Sequence, residues 1–207
     1  MRYLHDPATL LLTIPALLWA LSFHEFCHGF AAKLMGDRTA EFSGRLSLDP
    51  RAHFDLVGTL MLLFVGFGWA KPVPIDMRYF RNKRAGLVFV SLAGVLGNLL
   101  TAIVVVLFVR FFGRPWYDLT GRPGLTVMLQ MIRLNMGLAA FNLIPIPPLD
   151  GSRVLQAFIP FKYLSWWWWL ERWGMVILLV LLLTGAIDFF FDPIFSVLWQ
   201  LLPLWGW

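Results

Sequence analysis

The sequence predicts an all-α polytopic membrane protein: about four transmembrane helices, a short re-entrant or half-spanning segment, and small β-hairpin elements on the cytoplasmic side. Three observations carry this reading. Hydrophobic residues make up 59% of the 207 residues, against about 45–50% apolar in soluble domains. Charged residues make up 14%, well under the roughly 25% of soluble domains. Apolar runs long enough to span a bilayer recur between short basic segments. Disordered, coiled-coil, collagen-like and disulfide-scaffold classes are excluded. The net charge of +5 does not point to nucleic acid, because the basic residues flank apolar runs, as the positive-inside rule expects. Cys27 is the single cysteine, so no intrachain disulfide forms. The length suits one membrane-embedded domain, 1–207, with a core at 7–155 and a C-terminal span and interfacial tail at 163–207.

The elements follow in order. Residues 8–23 are apolar, and the absence of a small-residue cleavage site argues against a signal peptide. The apolar face continues to Leu34, so one helix is expected from Pro7 to Met35, long enough to cross a roughly 30 Å core, with Pro15 inside it. Residues 36–55 are polar and mixed in sign, and weak alternation over 39–48 suggests a short hairpin. Residues 56–70 are apolar but short for a span, so they are expected to dip in and return or to lie as a short helix within the protein. From Lys71 to Ala85 the chain carries Lys71, Arg78, Arg81, Lys83 and Arg84 against Asp76. Its start, with Pro72 and Pro74, reads as extended. Residues 86–109 carry no charge and form a transmembrane helix. A Gly/Pro/Arg loop is expected over 110–124, then a second span over 125–143 holding Gln130, Arg133, Asn135 and Asn142. Pro145, Pro147 and Pro148 end it. A short amphipathic stretch covers 152–164. Trp166 to Trp169 mark an interface, and 173–187 form the last span. The aromatic tail, 189–207, is expected to lie along the membrane surface.

His24-Glu25-Phe26-Cys27-His28 is an H-E-x-x-H motif. Its two histidines share a helix face at i and i+4 and can bind one zinc ion, with Glu25 beside them as general base. With four histidines and three glutamates in the chain, chance produces this pattern in roughly one chain in a thousand. Three ionisable groups in five positions of an apolar helix are costly unless paired or functional. A catalytic zinc takes three protein ligands and keeps one open position. The residue types leave His5, His53 and several carboxylates as third candidates. Asp150 stands out because it follows the proline-broken span. It reads equally as an N-cap for the next helix.

HEFCH in the first long helix, together with Asn142-Leu143-Ile144-Pro145-Ile146-Pro147-Pro148-Leu149-Asp150-Gly151, resembles the site-2 protease family of intramembrane zinc metalloproteases. The likeness extends over about residues 20–155 and is nearest to a compact bacterial type without PDZ or CBS domains. The resemblance implies one zinc per chain held by His24, His28 and Asp150, Glu25 as catalytic base, and Asn142 positioning substrate or stabilising the oxyanion. It implies regulated intramembrane proteolysis, with a transmembrane segment of a membrane-protein substrate and the lipid bilayer as partners. The bacterial inner membrane is the expected location, with the site toward the cytoplasm. One departure is visible: the family's G-P-x-x-N element reads Gly94-Val95-Leu96-Gly97-Asn98 here. The glycines read as helix-packing positions.

The implied ligand set constrains topology. Both ligand-bearing helices must run in the same direction, so residues 56–70 cannot cross the membrane. The extended 70–75 segment reads either as an ordinary loop or as an edge that pairs with unwound substrate. Two alternatives to a protease are a transport-type protein and a non-catalytic metal-binding protein of the same fold. The last span, 173–187, carries no ionisable group, which argues against transport, and the intact Glu25 argues against the non-catalytic reading.

Overall fold

The computed structural model describes residues 7–58 and 68–202. The first helix, α1, runs Pro7–Met35 with Pro15 inside, as the apolar run predicts, and is about 44 Å long at 1.5 Å per residue. It stops where Gly36 takes φ 110°, and a Cβ there would sit 2.8 Å from the Tyr79 carbonyl oxygen.

The expected hairpin over 39–48 does not form, and no strand occurs among the described residues. A single helical turn, α2 (Thr39–Phe42), takes its place. Local hydrogen bonding outweighs the weak alternation. Asp37 is fully buried, and its Oδ1 accepts from the Thr39 amide at 2.9 Å, starting the turn. Its Oδ2 accepts from the Asp76 amide at 2.7 Å, pinning a second loop to the first. Glu41 bonds Lys33 and Arg38. The Arg38 guanidinium, then Lys33, draws its carboxyl down to about 2.

The third helix, α3, spans Lys83–Asn142, capped by Asn82, whose Oδ1 accepts from the Ala85 amide. At 1.5 Å per residue its 60 residues would reach about 90 Å, three times the hydrocarbon thickness. It folds back instead, at Gly121, which takes φ 65° and ψ −158°. The first leg then packs on the second: Ala102, Val105 and Val106 meet Ile132 and Met136 in one core cluster. The loop expected over 110–124 is therefore helical up to that residue. Pro115 keeps helical dihedrals and sacrifices one hydrogen bond, while Phe108, Phe112 and Trp116 line one side of this stretch in ring contact.

Two turns stand between α3 and the next helix, α4 (Asp150–Gln156). A Cβ at Gly151 would run into the Leu143 carbonyl, so only glycine lets the chain double back this tightly. Helix α5 (Leu164–Thr184) ends at Gly185, whose φ is 74°. It approaches the proline-broken segment at Gly174, where a Cβ would lie 2.6 Å from the Pro147 carbonyl oxygen. Leu178 packs there with Ile144, Leu149 and Ile187. The last helix, α6 (Asp188–Leu201), lays Phe195, Leu198 and Trp199 against the α3 cluster.

Among the described residues, α3 and α5 are long and apolar enough to cross a membrane. The short segment expected to dip into the bilayer lies mostly at 59–67, outside the described residues, and so does His5.

Candidate metal centre

Helical periodicity puts His24 and His28 on one face of α1, and that face meets the first leg of α3. The approach is close because Gly94 has no side chain. A Cβ there would sit 2.6 Å from both His24 Cε1 and His28 Nε2. Gly97 has the same role a turn further along, where a Cβ would meet Cys27 Sγ at 2.5 Å. Cys27 thus faces the helix contact and not the histidine cluster.

Each imidazole is oriented by its Nδ1. His28 Nδ1 lies 2.7 Å from the Val90 carbonyl oxygen, which can only accept. His24 Nδ1 lies 2.6 Å from Asn98 Oδ1. Both Nδ1 atoms are therefore donors, so in the neutral rings both Nε2 atoms present lone pairs. Those lone pairs face each other at 3.0 Å. Asp150 Oδ2 joins them at 3.2 Å from His24 Nε2 and 3.1 Å from His28 Nε2. It is buried and receives no hydrogen bond. With neutral rings, three acceptor atoms converge on one point, an arrangement that a cation relieves. Tetrahedral coordination at 2.0–2.1 Å separates ligand atoms by about 3.3 Å, close to the observed spacing. His24, His28 and Asp150 could therefore hold a metal ion.

Asp150 is the first residue of α4, and the cap position belongs to Leu149. Its carboxylate does not cap the helix, which resolves the alternative left open by residue types. His53 is buried, but its Nε2 bonds the Ser47 carbonyl, so it braces a loop away from the cluster.

Glu25 and Asn142 line the same cavity as the cluster, a space of about 300 Å³ bounded also by Trp69, Val73 and Phe141. Glu25 Oε2 accepts from the Val73 amide at 2.8 Å. Asn142 Nδ2 donates to the Leu138 carbonyl of its own helix at 3.0 Å. The segment from residue 68 to 75 borders the site. Arg45 binds its Lys71 and Pro72 carbonyls, and the Lys71 amide bonds the His53 carbonyl. Backbone groups from Lys71 to Val73 are thus engaged within the chain. A substrate strand pairing there would have to displace them.

The profile of peptidase family M50 matches residues 121–181, which include Asn142 and Asp150. A Bacillus subtilis protein named Putative zinc metalloprotease YwhC is 36% identical over 164 residues, covering 77% of this chain and 74% of that protein. The chain belongs to peptidase family M50. A Mycobacterium tuberculosis protein named Putative zinc metalloprotease Rip2 is 32% identical over 152 residues, covering 70% of this chain and 56% of that protein. No solved structure matches. The M50 peptidase is thus a metalloprotease of the site-2 protease type, with zinc as its cofactor. The cluster of two neutral imidazoles and one carboxylate suits that ion, which accepts nitrogen and oxygen donors in such threes.

Residue patterns mark Gly94 as a packing position and leave Asn98 as the retained residue of the G-P-x-x-N element, with no partner named for it. The structure places both against the histidines. A signal was present, since Asn98 lies one helical turn from Gly94 and a buried amide in an apolar helix needs a partner.

Proposed function

We propose that the M50 peptidase is an intramembrane enzyme that hydrolyses peptide bonds in or near transmembrane segments of membrane proteins. In this reading α1, both legs of α3 and α5 cross the bilayer. His24, His28 and Asp150 are the zinc ligands, Glu25 is the general base, and Asn142 positions the scissile group. The observation that carries the reading is the convergence of the three ligand atoms within 3.2 Å of one another, beside Glu25, in a cavity walled by apolar helices.

Bound zinc would lower the pKa of its water toward about 7 and polarise the scissile carbonyl. The chain's own groups do the rest. Glu25 takes a proton from the attacking water and delivers it to the leaving amine, and the Val73 amide holds its carboxylate toward the cavity. Asn142 has two amide hydrogens; one goes to Leu138, and the other is available to the developing oxyanion. Leu138, Phe141, Met175 and Leu178 line the cavity and suit the apolar side chains of a transmembrane substrate. Such a substrate must unwind locally, because a helix hides its amides in its own hydrogen bonds.

Charge supports a cytoplasmic opening in a bacterial inner membrane. Arg38, Arg45, Arg51, Lys71, Arg78 and Arg81 lie between α1 and α3, and Lys83 and Arg84 open α3. The Arg81 amide bonds the Met35 carbonyl at the end of α1, and the Asp76 amide bonds Asp37, which draws these segments together. The test is Glu25→Gln in proteoliposomes carrying a transmembrane substrate. The variant should keep one zinc per chain and lose cleavage. Undiminished cleavage would remove Glu25 from the mechanism.

A further inference from the structure

Asn135 lies on the second leg of α3, far in sequence from every site residue on α1, and is fully buried with Asn98. Its Nδ2 donates to the Met131 carbonyl at 2.8 Å, so its Oδ1 must face the other way. There it accepts from Asn98 Nδ2 at 2.8 Å. Asn98 Nδ2 also donates to the Ala20 carbonyl at 3.0 Å. Both amide hydrogens of Asn98 are then committed, and only its Oδ1 can face His24, at 2.6 Å. The hydrogen bonds run in one direction: His24 Nδ1 to Asn98, Asn98 to Asn135, Asn135 to Met131. An amide can present either its oxygen or its nitrogen to a ring, and a flipped Asn98 would donate to Nδ1. The proton of His24 would then sit on Nε2 and close it to metal.

We propose that Asn135, acting through Asn98, is a positioning residue that holds His24 in the Nδ1–H tautomer and so keeps Nε2 open for zinc. The relay joins α1, which carries the histidines, to both legs of α3, the second of which leads into Asp150. Two buried amides in apolar helices are expensive unless satisfied, and here each is satisfied by the other's orientation. The proposal rests on the metal-site reading above, and it concerns how one ligand is prepared.

The experiment measures zinc affinity by competition with a chelator, and the His24 tautomer of the metal-free protein by nitrogen-15 NMR of the imidazoles. Asn135→Leu removes one of the two acceptors that fix the Asn98 amide, leaving only the Ala20 carbonyl against its rotation. Affinity should fall about 10–100-fold, the usual cost of losing an outer-shell partner, and a second tautomer of His24 should emerge. Asn135→Asp keeps an acceptor oxygen toward Asn98 in either protonation state. It should restore the single tautomer and an affinity within about threefold of wild type, a recovery that restored packing alone would not bring. Asn135→Ala carries the same comparison if the leucine variant does not fold. An unchanged tautomer and affinity in the leucine or alanine variant would overturn the relay, as would an aspartate variant that behaves like leucine. Wild-type protein that binds no zinc would instead sink the metal-site reading.

Discussion

The two sides of the cavity are built differently. On the wall formed by α1 and α3, the Nδ1 atom of each histidine is answered from outside: Asn98 and Val90 hold the two rings, and Gly94 lets the helices close on them. Glu25, next to His24 on α1, is only partly buried and is held from across the cavity by one amide of an extended segment rather than a helix. A metal needs ligand atoms fixed to within fractions of an ångström, and packed helices supply that. A general base must meet water and substrate, so it sits where the wall is a loop that can yield.

This contrast breaks first at Glu25. Glu25→Gln should cost about 10²–10⁴-fold in cleavage rate, the range for a positioned general base, with zinc content unchanged by metal analysis. His24→Ala or Asp150→Ala should do the reverse in kind, losing zinc and cleavage together. Equal zinc in Asp150→Ala would move the third ligand elsewhere. Gly94→Ala tests the rigid wall. Its Cβ would press on both rings at 2.6 Å, between two helices that cannot easily part. Zinc affinity should fall about tenfold or more, a loss comparable to that of an outer-shell partner.

Val73→Pro tests the yielding side. It removes the N–H that Glu25 accepts while keeping extended backbone between two existing prolines. A bond to a charged group is worth about 1.5–3 kcal/mol, so kcat should drop about tenfold or more with zinc retained. Unchanged kcat would mean the amide only marks where the loop rests. The smallest effect is expected at Glu41. Its carboxyl is lowered by Arg38 and Lys33, so the stabilisation it supplies is present above the usual carboxylate range and fades as pH falls toward about 2. It lies at the surface, partly exposed and outside the cavity lining, so Glu41→Gln should leave zinc binding and cleavage at neutral pH unchanged.

Much of the site was legible from residue spacing. His24 and His28 share a face on any α-helix, whatever surrounds it, and Glu25 follows from the same motif. Asp150 was open between ligand and cap from residue types, because its direction depends on turns whose shape is set by Gly151 and by packing on α5. The hairpin expected over 39–48 failed for a related reason. Alternation there is weak, and a buried Asp37 that bonds Thr39 and the distant Asp76 starts a helical turn instead. The loop expected over 110–124 is mostly helix because glycine and proline are tolerated inside an apolar helix, and Gly121 alone among them takes dihedrals that break it.

By itself, the chain's residue order determines an apolar helical protein and two imidazoles aimed the same way, since both follow from short-range periodicity and composition. Which carboxylate completes the trio, which glycine admits the rings and which amides orient them were decided by tertiary packing. Those partners lie 74 residues from His24 at Asn98, and a further 37 on at Asn135. Contacts at such separations form only once the helices have met.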